Sequence, residues 1–117
     1  MANQIDLQFK PVEGREDAEI VEFHGDLDAT NVESVLENIM SKFQEGFVFI
    51  IADFSDLRYV NSTGLGILLH FSKIAGEKGG RFMITNVNEN VYEIIEIIGA
   101  NSLLEIHDTL EDALKTL

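Results

Sequence analysis

The sequence predicts an α/β fold, a mixed and mainly parallel sheet of about five strands with about four helices packed on it. Three observations lead there. The chain opens with two apolar segments separated by a glycine turn, strand and helix periodicities then alternate to its end, and one central apolar run is continuous where the others alternate.

The elements follow in order. Ile5, Leu7 and Phe9 alternate with polar residues, VEGRED turns the chain at Gly14, and Ile20, Val21 and Phe23 resume the apolar pattern, so an antiparallel hairpin is expected. From Ala29 the period changes. Ala29, Val32, Val35, Leu36, Ile39, Met40 and Phe43 share one helical face, started by Asp28 or by Thr30 with Glu33 as a capping box. The run FVFII at residues 47–51 is continuously apolar and reads as a central strand covered on both faces. After it, residues 53–61 read as a loop leaving the carboxyl end of that strand, the edge of an open sheet where sites gather. Leu65, Leu68 and Leu69 give the buried face of a second helix reaching toward Gly76, and RFMIT forms a strand after the Gly79-Gly80 break. Val91, Ile94, Ile95 and Ile98 line a third helix ended by Gly99 in a left-handed cap. A short strand at residues 103–106 precedes a last helix, begun by Asp108 with Glu111 and packed through Leu110, Ala113, Leu114 and Leu117.

Composition bounds the function. A chain of 117 residues, 45% hydrophobic, with one proline and no linker-like stretch, is expected to be one domain over residues 1–117. With 21 acidic against 8 basic residues the formal charge is −13, so nucleic acid and anionic membranes, both bound through lysine and arginine clusters, are not expected partners. There is no cysteine, which removes disulfides, thiolate chemistry and cysteine-ligated zinc. The segment MANQIDLQFK has no signal-like apolar core and the apolar runs are too short to span a bilayer, so a cytoplasmic protein is expected.

The stretch YVNSTGLGILLHF carries the chemistry to be explained. Ser62 as a nucleophile lacks the strained elbow pattern and a nominated base, because His24, His70 and His107 are scattered. As a phosphate cradle, Gly64-Leu65-Gly66 lacks the third glycine, and no Gly-Lys-Ser/Thr exists. No histidine pair has ligand spacing, so neither metal nor cofactor is implied. As a helix start the stretch is coherent: Ser62 or Asn61 can accept from the first-turn N–H groups. The two glycines remain unexplained by capping, since each costs roughly 1 kcal/mol in a helix relative to alanine. They strip bulk from the helix tip and leave a small hydroxyl accessible to another protein.

DFSDLRYVNSTGLGILL resembles the signature of STAS domains, the bacterial anti-sigma factor antagonists, and Phe23-His-Gly-Asp-Leu-Asp resembles the family's Gly-Glu/Asp-Leu-Asp ahead of its first helix. The resemblance implies a non-enzymatic switch. Ser62 would be phosphorylated, with Thr63 the lesser alternative, by an anti-sigma factor serine kinase that binds the unmodified protein and releases the modified one; a serine phosphatase would reset it. The expected partner surface comprises Asp26, Asp28, Asp56, Arg58, Tyr59, Asn61, Ser62, Thr63, Gly64 and Leu65. Asp26 and Asp28 read either as a polar rim or as caps and surface charge, and Asp53 and Asp56 as turn formers or rim. Asn61 departs from the family's usual aspartate. The alternative reading keeps the fold as a docking subunit of a transporter-associated or stress-sensing complex that is not phosphorylated.

Overall fold

Strand β1 (Ile5–Val12) turns back through Glu13 and Gly14 onto β2 (Arg15–Leu27), and the two pair antiparallel from Ile5 opposite Gly25 to Val12 opposite Arg15. Gly14 takes the left-handed backbone that this turn requires, with φ 79°. The computed structural model describes residues 4–117; residues 1–3 of the expected 1–117 domain lie outside the described residues. The strands form one five-stranded sheet in the order β1-β2-β3-β4-β5, in which β2, β3 (Phe49–Val60), β4 (Arg81–Thr85) and β5 (Glu105–His107) run parallel.

Helices α1 (Val32–Gln44), α2 (Ser62–Glu77) and α3 (Glu89–Ile98) cover one face of this sheet. Val35, Ile39 and Phe43 from α1, Leu65, Leu68 and Phe71 from α2, and Val91 and Ile95 from α3 pack there on Val21, Phe23, Ile50, Phe54, Phe82 and Ile84. Among the described residues the opposite face is covered only by the short helix α4 (Leu110–Leu114), where Ala113 meets Ile20, Ile51 and Met83. Alternation along β2 explains the division: Val21 and Phe23 point into the large core, while Ile20, Glu22 and His24 occupy the other side. Beyond the reach of α4 that side is polar.

Several boundaries differ from the sequence reading. Helix α1 starts at Val32, and Ala29, expected on its buried face, is exposed. Neither Asp28 nor Thr30 caps it, because residues 28–31 form a turn in which the Asp28 carbonyl accepts from Asn31 and Val32 N–H while the Asp28 carboxylate accepts from Thr30. Strand β3 begins two residues later than expected and continues to Val60, so the expected loop at 53–61 is strand up to its last residue. Its pairing with β2 gains an extra β3 residue twice, between Glu22 and His24 and again between Gly25 and Asp26. Each bulge advances the chain by one, so burial falls on Phe54, Leu57 and Val60, every third residue. That spacing matches neither strand alternation nor a continuous run, and so conceals the strand.

The third helix ends as expected at Gly99, whose φ of 82° suits glycine, but Ile98 is 47% exposed and lies off the core. A 3₁₀ turn (Ala100–Ser102) follows, and Leu103 is exposed ahead of the shorter β5. Helix α4 is capped by Thr109, which accepts from Asp112 N–H, in place of Asp108. Among the described residues no helix is long and apolar enough to cross a membrane.

Candidate functional site

The site forms where the parallel strands β2 and β3 end together. Leu27 pairs with Val60, the Leu27 carbonyl then accepts from Asn61 N–H at 3.2 Å, and the chain turns into α2. Asn61 is extended, with φ −97° and ψ −179°, and its Oδ1 accepts from Gly64 N–H at 2.9 Å. Asn61 is therefore the cap. Ser62, the alternative cap, is the first helical residue, and both Ser62 and Thr63 are exposed. With the Gly64 amide held by Asn61 Oδ1 and the Leu65 amide by the Asn61 carbonyl, Ser62 and Thr63 N–H are the remaining donors of the turn.

Gly64 explains how the tip sits so low on the sheet. A Cβ there would lie 2.8 Å from both Leu27 Cγ and the Leu27 carbonyl oxygen and 2.9 Å from Val60 Cγ2. Gly66 differs, since a Cβ would meet nothing within 4 Å and the residue is exposed. Gly64 and Leu65, expected on the partner surface, are buried and support the tip from beneath.

Around the tip the structure gathers polar groups from both strand ends. Asp26 stands opposite Tyr59 in register, Arg58 Nε lies 3.3 Å from Asp26, and Tyr59 is 46% exposed. Asp28 is buried in the 28–31 turn, and Asn31 ties that turn to β2 by accepting from Asp28 N–H and donating to the Asp26 carbonyl. Asp56 accepts from His24 Nδ1 at 2.6 Å, and His24 Nε2 lies 3.2 Å from Glu22. The Asp56 hydrogen bond, opposed by desolvation and aided by Glu22, raises the His24 pKa. Lys10, 2.6 Å from Glu22, holds that carboxyl below its usual range. Asp53, expected as a turn former or rim residue, lies within β3 and is half-buried: burial acts to raise its pKa, but its Oδ1 accepts from Ser55 N–H and Asn86 Nδ2, and these bonds lower it overall.

In the sequence His24 is only one of three scattered histidines. The signal that could have found it is strand alternation, which places Glu22 and His24 on one face. Among the described residues no histidine hydrogen-bonds Ser62: His24 is held by Asp56 and Glu22, His107 by Glu105, and His70 is exposed on α2. Among the same residues no group of three or more His, Asp and Glu is placed to hold a metal ion.

Comparison with known proteins agrees with this architecture. The family model described as the STAS domain matches residues 10–113. An anti-sigma F factor antagonist of Paenibacillus polymyxa is 29% identical over 68 residues, which is 58% of this chain and 58% of that relative's length. The crystal structure of a candidate anti-sigma factor antagonist from Thermotoga maritima superposes with a TM-score of 0.86 at 22% identity, covering 94% of this chain and 92% of that one. The Bacillus cell fate determinant SpoIIAA, solved in its phosphorylated form, gives a TM-score of 0.71 at 22% identity, with 95% and 98% covered.

Proposed function

The chain belongs to the STAS domain family, and from that premise we propose that it is a cytoplasmic, non-enzymatic anti-sigma factor antagonist whose α2 tip binds an anti-sigma factor kinase and is released by phosphorylation at Ser62. The names of its relatives support the general role. The observation that carries the switch is the first turn of α2: it offers an exposed hydroxyl, two N–H groups outside the helical ladder and no acidic side chain.

A phosphate there adds about −1.5 to −2 charge at the positive end of the helix dipole, so the fold tolerates it. A partner shaped to a small neutral hydroxyl must instead desolvate or oppose a dianion, which accounts for release. Thr63, also exposed, is the secondary acceptor, and a serine phosphatase would restore the binding form. Asp26, Asp56, Arg58 and Tyr59 form the rim that a partner would meet.

Intact mass and site mapping after mixing with the kinase and ATP test the acceptor. Ser62→Asp is expected to weaken partner binding by about 100-fold or more while the domain stays folded, and Ser62→Ala to bind normally without accepting phosphate. Equal affinities of the two variants would remove the switch. Asn61, neutral where the family carries aspartate, favours a second reading, a permanently docked subunit of a transport or stress-sensing complex. Absence of phosphate under kinase and ATP, with a stable complex recovered, would select it.

A further inference from the structure

We propose that His24 is a proton-operated clamp which, bracketed by Asp56 and Glu22 where β2 and β3 slip register, orders the end of β3 that carries the α2 tip. The inference rests on the proposed function only for what the tip does; the clamp itself is a property of the isolated chain.

The geometry requires a cation for its full set of bonds. His24 Nδ1 is 2.6 Å from Asp56 and Nε2 is 3.2 Å from Glu22, and carboxylates only accept, so both contacts are hydrogen bonds only when both ring nitrogens carry a proton. Losing one proton leaves a lone pair facing a carboxylate. The contact to Asp56 is the one that reaches across the strands, and Asp56 lies between the two extra residues that β3 inserts against β2. Bulged pairing has fewer regular ladder bonds, so a side-chain bridge counts for more there than in the straight part of the sheet. From this point β3 runs four residues to Val60 and then to the Asn61 cap, while β2 runs three residues to Leu27, whose carbonyl holds Asn61 N–H.

The charged groups around the ring favour the proton. On β1, Asp6 stands directly opposite His24, and Lys10 is engaged by Glu22. On β2, Glu22 touches the ring and Asp26 is engaged by Arg58. On β3, Asp56 touches it, and Asp53 stands opposite Glu22, fixed by Asn86 and Ser55. Among the described residues no helix covers this part of the sheet, so the ring can exchange protons with solvent. The His24 pKa is raised, so the clamp is complete below the ordinary histidine value of 6.5 and is lost as pH rises through the raised one.

The test uses the free protein without partner or kinase. Amide protection factors at Leu57, Arg58, Tyr59 and Asn61, corrected for intrinsic exchange, are measured across the His24 titration followed by NMR. Protection is expected to fall about threefold as the ring deprotonates, an effect scaled to a partly exposed ion pair, and to show no such step in His24→Gln or Asp56→Asn. A titration that leaves those four amides unchanged, or an equal step in both variants, overturns the clamp. Because Ser62 and the partner take no part in the measurement, failure of the switch would leave this result standing, and failure of the clamp would leave the switch intact.

Discussion

Helices α2 and α3 rise from the carboxyl ends of neighbouring parallel strands, and each is capped by an asparagine whose Oδ1 accepts from the third helical N–H, Gly64 in one and Val91 in the other. Their first turns then diverge. In α3, Glu89 supplies a carboxylate at the positive end of the dipole, and the adjoining hollow is lined by further acids, Glu93, Glu96 and Asp108. In α2 the corresponding turn has no acid, exposes Ser62 and Thr63, and presses Gly64 against Leu27 and Val60. The same capping device thus serves a helix whose dipole is answered by its own side chains and one whose first turn supplies no acid to answer it.

The largest difference is expected at the third helical position. Val91 is a buried branched residue in α3, whereas Gly64→Ala places a Cβ 2.8 Å from the Leu27 carbonyl oxygen, an atom that cannot swing aside. Gly64→Ala should destabilise by about 1–3 kcal/mol through overpacking. Gly66→Ala, with open space around it, should stabilise by roughly 0.5–1 kcal/mol through helix propensity. Urea unfolding reads both; a Gly64→Ala protein as stable as the parent would mean that the α2 turn can lift off the sheet.

The contrast between the two glycines cannot be read from the sequence, where both simply interrupt a helix. What is legible there is local and periodic. The Arg81–Thr85 strand is bounded by its apolar run and the glycines before it, and the end of α3 by Gly99. The tip itself stands out because a hydroxyl pair and two glycines sit ahead of an apolar helix face. The strand leading to it reads as a loop because two bulges turn alternation into a three-residue period at Phe54, Leu57 and Val60. The caps of α1 and α4 are misplaced by a residue or more because Asp28, Thr30 and Asp108 are all competent cap types, and only the turn geometry selects among them.

The caps provide a second, smaller separation. Asn61→Ala removes one capping bond and should cost about 1 kcal/mol. Asn88→Ala removes the equivalent bond to Val91 and also the donation from Asn88 Nδ2 to the Leu57 carbonyl, which fastens α3 to β3, so it should cost about 2 kcal/mol. Equal losses in thermal unfolding would mean that the Leu57 bond is replaced by water.

The smallest effect bears most directly on tolerance of a phosphate. Ser62→Asp puts a carboxylate on a turn with no acid, where the dipole and the Ser62 and Thr63 N–H groups favour it, and should stabilise the free protein by about 0.5 kcal/mol at low ionic strength. Asn90→Asp places the same charge in the first turn of α3, beside Glu89 and near Glu93, where repulsion offsets the dipole, so its gain should be smaller or absent. A carboxyl favoured in this way has a depressed pKa, so the Ser62→Asp gain is present above the unfolded value of about 4 and is lost as pH falls through the folded one. Salt at about 1 M should erase it. A Ser62→Asp protein less stable than the parent at neutral pH and low salt would show that the α2 tip resists an anion, and the fold could not then carry a phosphate there without strain.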